Sequence, residues 1–275
     1  MSKRSLKEWS RYSYRWLTNR LMGKLGEDDL ARAAVAFSPH FDDETLGCGG
    51  TIIKKKRAGA DVKIVFMSDG SKSHNHLISE DELKAIRARE ALAACRCLGL
   101  NASDVFFLGF EEKNLRQHVK SATEQVAEIL LQQQPEEIFI PYHKEFLADH
   151  FATNRIVASA LQMCGRQPVI YEYPIWFWYH WPWASVPIRS RREMLSIVKN
   201  SVVSGLDLLR DFRSWVYIGD VLELKRRALD QYKSQMTRII PDSRWMTLGD
   251  VADGEFLECF FQDREIFRRY RFRRR

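Results

Sequence analysis

No run of apolar residues in this chain approaches the roughly 20 uninterrupted positions that a membrane-spanning helix requires, and its N-terminal stretch lacks the apolar core of a secretory signal. A cytoplasmic location is therefore the expectation. Cysteine is sparse and badly spaced for a scaffold role: Cys48, Cys95, Cys97, Cys164 and Cys259 are odd in number and form no C-x-x-C pair. This excludes both a disulfide framework and a thiolate zinc site, and leaves reduced thiols. Internal repeats, low-complexity linkers and nucleic-acid motifs of specific spacing are also absent. The net charge of +7 is then no argument for nucleic acid by itself.

What charge there is lies at the ends. Residues 1–25 hold seven Lys/Arg against Glu8 and residues 264–275 hold seven Arg against Glu265, so the tails together carry +12 and the body −5. Such tails suit anionic lipid, nucleic acid or an acidic partner alike, and peripheral contact with an anionic membrane is one use open to them. Residues 1–30 read as a basic amphipathic helix, with Leu6, Trp9, Trp16, Leu17, Leu21 and Leu25 on one face. That face either packs on the domain or docks on a membrane surface or partner.

From residue 31 to 275 the chain reads as one α/β domain. Short apolar runs at 33–38, 61–68, 104–110, 136–142 and 168–174 read as buried strands, with helical stretches between them. This alternation predicts a Rossmann-like, doubly wound, mainly parallel sheet with helices on both faces. From about residue 175 an aromatic run, WFWYHWPW, leads into helical segments near 189–212 and 220–237 and a late strand at EFLECFFQ, residues 255–262.

In such a sheet, ligands bind at the carboxyl ends of the strands. The stretch FSPHFDDETLGCGG, residues 37–50, falls at that end of the first of these strands. His40, Asp42 and Asp43 are crowded there, and adjacent carboxylates repel unless a cation sits among them or one takes up a proton. One imidazole and one carboxylate are ligands zinc accepts, and the other carboxylate is then left as a general base. A third ligand is supplied by FLADH after the fourth of these strands, where His150 completes a His/Asp/His set. Alone, the Asp149–His150 pair reads equally well as a helix cap and a surface histidine. Gly47, Gly49 and Gly50 let the next helix approach the strand closely.

PHFDDETLGCGG resembles the P-H-x-D-D-E-x-x-G-x-G-G signature of the PIG-L/LmbE-like zinc-dependent N-deacetylases. SDG at 68–70, RAREALAACRCLGL at 87–100 and FFLGFEEKNL at 106–115 follow that family's order of elements, as does LKRRALDQYKSQM at 224–236 more loosely. The resemblance implies a single Zn2+ held by His40, Asp43 and His150, with Asp42 as the base that takes a proton from the attacking water. Fe2+ and Co2+ suit the same donors. It implies removal of the acetyl group from an N-acetylglucosamine-type conjugate, giving acetate and a free amine, with Asp69, Arg87, Asp149 and His143 on the substrate side. The chain departs from the family's closing H-x-D-H motif, having Leu147 where the first histidine belongs. His143 and His180 are the nearest replacements for that donor. The alternatives are a metal-dependent amidase acting on a larger conjugate amide, or a non-catalytic sugar- or partner-binding protein on the same scaffold.

Three further features have a plain structural reading. His74 and His76 lie in a polar loop and are expected to be solvated. Cys48 is expected to be a small buried residue. For the aromatic run two readings stay open: part of it packs in the core, or it forms a lid or wall that stacks on sugar faces or dips into a membrane interface beside the basic N-terminal helix.

Overall fold

The computed structural model describes residues 5–187 and 190–273. Its eight strands are β1 (Gly23–Lys24), β2 (Ala34–Ser38), β3 (Val62–Ser68), β4 (Val105–Phe110), β5 (Glu137–Pro141), β6 (Val169–Tyr173), β7 (Ser214–Tyr217) and β8 (Arg264–Arg271). The first five helices are α1 (Leu6–Leu21), α2 (Glu27–Ala31), α3 (Asp43–Arg57), α4 (Glu80–Cys97) and α5 (Val119–Gln133). The others are α6 (Ala148–Cys164), α7 (Arg191–Asp211), α8 (Leu222–Leu229), α9 (Lys233–Met236) and α10 (Glu255–Glu258).

The strands make one sheet in the order β1-β7-β8-β6-β5-β2-β3-β4, in which only β8 runs against the rest. Successive side chains of a strand point to opposite faces, and here both directions are apolar. Ala34, Ala36, Ile64, Phe66, Phe139 and Tyr171 join the core layer beneath α3, α4 and α8. Val35, Phe37, Val65, Met67, Ile138 and Ile140 join the layer beneath α5 and α6. Burial on both faces explains why these strands read as continuous apolar runs, and it places helices on both sides of a mainly parallel sheet as expected. The chain winds from β2 outward to β4, then returns to place β5 on the other flank of β2. The carboxyl ends of β2 and β5 thus form the switch point of the sheet, where a crevice opens.

The C-terminal third differs from the sequence-based expectation. Residues 255–261 are helical, as α10 and a 3-10 turn over Cys259–Phe261, and the late strand is β8 instead. Arginines disguise it, because strand geometry needs only every second residue inside: Glu265 and Phe267 are buried while Arg268 and Arg269 reach out to Glu172 and Asp29. The run expected as a basic tail is therefore an interior strand between β6 and β7 over residues 264–271.

Of the two readings of the N-terminal helix, packing through its apolar face is the one the structure overturns. Ser5 and Glu8 form a capping box that starts α1. It docks through Lys7 and Arg11, which reach Glu255 and the carbonyls of Pro182 and Trp183. Leu6, Trp9, Tyr12 and Trp16 face outward.

Candidate active site

β2 ends at Ser38, and the loop His40–Asp42 turns back sharply into α3. Asp42 occupies the N-cap position with φ of 118°, a left-handed backbone that is rarely adopted outside glycine. Glu44, fully buried, holds this turn from inside. Its carboxylate accepts from the Asp42 N–H and Ser38 Oγ, both at 3.2 Å, and from Tyr232 Oη at 2.6 Å. Four residues on, α3 kinks at Cys48, whose thiol is buried, and Glu265 of β8 accepts the N–H groups of Gly50 and Thr51 at 2.8 and 2.7 Å. A Cβ on Gly47 would lie 2.3 Å from the Tyr173 ring, so that approach requires glycine.

On the β5 side, Glu145 accepts from the N–H groups of Ile175, Trp176 and Phe177 and so anchors the loop that leads into α6. α6 carries His150 in its first turn, fully buried and pointing back to β2.

Across the switch point three donor atoms meet. His40 Nδ1 and His150 Nε2 are 3.2 Å apart, and Asp43 Oδ2 lies 3.3 Å from the first and 3.2 Å from the second. Ligands held at about 2.0–2.1 Å around a tetrahedral ion are roughly 3.3 Å from each other. The three atoms thus already have the spacing of one face of such a site. Each imidazole also has a carboxylate behind it: Asp149 lies 3.4 Å from His40 Nε2, and Glu145 lies 3.8 Å from His150 Nδ1, which has no hydrogen-bond partner among the described residues. Carboxylates in that position fix the tautomer and orientation of a metal-binding histidine. The donor set fits a divalent cation.

The electrostatics divide the two neighbouring aspartates. Burial opposes ionisation of Asp43, but His150 and His40 outweigh it and hold its pKa far below the usual carboxylate value. Burial raises the pKa of Asp42 well above that value, reinforced by the charges of Asp43 and Glu44. For His40, burial disfavours the charged ring, yet the hydrogen bonds with Asp149 and Asp43 leave its pKa well above the ordinary imidazole value. One carboxylate is thus fixed as an anion and the other kept basic.

A cavity of about 360 Å3 opens over the cluster. His40, Asp42, Asp43, Arg87 and Asp149 line it, together with Leu147 at the start of α6. Arg87 is 1 % exposed, donates to the Gly70 carbonyl at 3.2 Å and has no partner at Nε among the described residues. Asp149 accepts the N–H groups of Lys113 and Leu115 as well as facing His40. Asp69 and His143 do not line the cavity. Asp69 accepts from the N–H groups of Ser71 and Glu112 and pairs with Lys84, holding the loop after β3. His143 bonds Glu172 at 2.8 Å, and His180 is buried with Nδ1 on the Phe177 carbonyl. Among the described residues, the cavity therefore has no histidine besides His40 at its surface.

Sequence reasoning missed the residues that organise this site from behind: Glu44 with Tyr232, Glu145, and Glu265. Only Glu44 carried a signal, as the third acid of PHFDDE. His74 is neither a ligand nor solvated. It stacks on Trp245 with ring centroids 4.1 Å apart and bonds the Met246 carbonyl, pinning the loop after β3 to the C-terminal segment. Of the aromatic run, Trp178 and Trp183 enter the core, while Trp176 lines the cavity and stacks on Phe256.

The comparisons with known proteins place the chain among N-deacetylases, hydrolases of amide bonds. Residues 35–161 match the family model described as PIG-L, GlcNAc-PI de-N-acetylase, and the chain carries a PIG-L family domain there. A probable N-acetyl-alpha-D-glucosaminyl L-malate deacetylase 2 of Bacillus cereus is 25% identical over 223 residues, 78% of this chain and 88% of the relative. The N,N'-diacetylchitobiose deacetylase of Pyrococcus horikoshii superposes with a TM-score of 0.62 at 20% identity, covering 98% of this chain and 94% of its own. GalB, the 4-carboxy-2-hydroxymuconate hydratase of Pseudomonas putida KT2440, shares the fold with a TM-score of 0.56 at 16% identity, over 83% of this chain and 84% of its own. The architecture therefore hosts more than one chemistry, and the reaction has to be argued from the site.

Proposed function

We propose that the protein removes the acetyl group from an N-acetylglucosamine-type conjugate, with Zn2+ held by His40, Asp43 and His150. The observation that carries this is the triangle of donors with Asp42 beside it in the same cavity. When bound, the ion supplies Lewis acidity for the acetamide carbonyl and the attacking water. Asp42 takes the proton from that water: its strained backbone aims the carboxylate into the cavity, and its raised pKa makes it a competent base. Leu147 supplies no proton, and neither His143 nor His180 reaches the cavity, so Asp42 also returns the proton to the departing amine. Asp149 positions His40. The Arg87 guanidinium faces sugar hydroxyls or an anionic group on the conjugate, while Asp69 and His143 hold the loops around the pocket. Trp176 and Phe256 give the sugar a flat apolar wall.

A cavity of about 360 Å3 is near the lower end of small-molecule sites. It suits one sugar ring with the rest of the conjugate outside, and favours acetyl over a larger acyl group. The test is free-amine release from a panel of N-acetylglucosamine conjugates by zinc-loaded protein. Asp42→Asn is expected to lower turnover by a factor on the order of 10²–10⁴ while zinc content, read by equilibrium dialysis, is unchanged. Turnover that survives in this variant would remove Asp42 from the mechanism.

A further inference from the structure

We infer that α1 and α7 together form a docking face for an anionic lipid bilayer. The two helices touch, with Tyr14 of α1 packed against Gly205 of α7. Each turns an apolar stripe away from the body. On α1 the outward residues are Leu6, Trp9, Tyr12 and Trp16, with Trp9 55% and Trp16 44% exposed. On α7 they are Leu195, Val198, Val202 and Leu206, spaced at three to four residues as one helix face demands, with Leu195 66% and Leu206 63% exposed. Large exposed apolar patches on soluble domains mark interaction surfaces.

Charge selects lipid over a second copy of the chain. Arg20 stacks on Trp16 at 4.1 Å, and Arg191, Arg192 and Lys199 are exposed on α7, against the exposed acids Glu8 and Glu193. The acids of the C-terminal half of α7 are turned elsewhere, Asp207 and Asp211 being bonded to Lys144 and Tyr142. Tryptophan and tyrosine flanked by cations suit the headgroup level of an anionic leaflet, whereas a second copy would bring the same cations to the contact. The two helices are also tied to the site. Through Lys7 and Glu255, α1 is joined to the segment that carries Phe256, and through Asp207 and Asp211, α7 is joined to the loop that precedes Leu147. Phe256 and Leu147 both line the active-site cavity. Both helices of the docking face are thus joined to segments that line the active-site cavity.

The measurement is sedimentation of the full chain with phosphatidylcholine vesicles, with and without phosphatidylglycerol, at low and high salt. Wild-type protein is expected to sediment with the anionic vesicles and to be released by salt. Two double variants, Trp9→Ser with Trp16→Ser and Leu195→Ser with Leu206→Ser, are each expected to lower the partition coefficient at least about tenfold. Met163→Ser, at an exposed site on α6, is expected to bind like wild type. All four positions in the double variants are solvent-facing, so circular dichroism is expected to show unaltered folding. No sedimentation of wild type, or equal sedimentation of the double variants, overturns the inference. So does a dimer in sedimentation equilibrium that both double variants dissolve without any vesicle binding, which would assign the face to a second copy. Vesicle binding needs neither substrate nor metal, so its outcome is independent of the deacetylase reading.

Discussion

Asp42 and Gly47 show how much of the site is a matter of single residues. Asp42 accepts a left-handed φ of 118° because Glu44 and the turn around it over-determine the backbone. Gly47 is needed for a different reason, since any side chain there meets the ring of Tyr173, whose hydroxyl donates to the Phe37 carbonyl at 2.6 Å. Gly47→Ala is expected to cost about 1–3 kcal/mol, read as a lower urea midpoint, because neither the ring nor the helix can yield without moving β2. A midpoint equal to wild type would mean that Tyr173 swings aside freely. These residues were legible in sequence as a cluster of acids and glycines after an apolar run. Their partners Tyr173 and Glu145 were not, because they belong to segments whose own patterns carry no hint of the site.

At the scale of elements, β8 and α8 are tied to α3 by a buried pair. Lys225 Nζ lies 2.8 Å from Glu265 Oε1 and donates to the Leu46 carbonyl, while Glu265 takes up the free N–H groups beyond the kink in α3. Removing one member leaves a buried charge unpaired, so Glu265→Ala is expected to destabilise by about 3–5 kcal/mol. Lys225→Met with Glu265→Gln is expected to recover part of that loss in denaturant melts; a double variant weaker than the sum of the singles would contradict the pairing. The aromatic segment before α7 is pH-sensitive through His180. Burial, only partly offset by the Phe177 carbonyl, pushes its pKa down to about 4. The folded state thus prefers the neutral ring, and the unfolded chain binds the proton first as pH falls below about 6.5. Its contribution is complete above that value and is lost as pH falls toward about 4, by up to about 3 kcal/mol. His180→Gln is expected to flatten the dependence of the urea midpoint between these two pH values, and an unchanged slope would assign it to other groups.

For the whole molecule, the donor triangle spans the switch point, with His40 and Asp43 on the β2 side and His150 on the β5 side. An ion there cross-links the two halves of the sheet and binds only the folded state. Zinc at about 100 times its dissociation constant is expected to stabilise by about 2.7 kcal/mol, seen as a higher melting temperature that a chelator reverses. His150→Ala is expected to abolish this zinc-dependent rise; if it persists, the ion sits elsewhere. The same scale shows where sequence reading reaches its limit. The five strands β2 to β6, the helices between them and the pairing of PHFDDE with His150 as one donor set were legible in the sequence alone, because two-sided burial writes continuous apolar runs and crowded acids require compensation. The tertiary structure alone decided that an arginine-rich end becomes an interior strand, since its charges find Glu172 and Asp29 only once the sheet is assembled. It also decided that the basic face of α1 turns inward onto Glu255 and leaves the tryptophans outside. A helical pattern specifies two faces, but which of them is buried depends on the partner, and that partner lies more than 240 residues away in the chain.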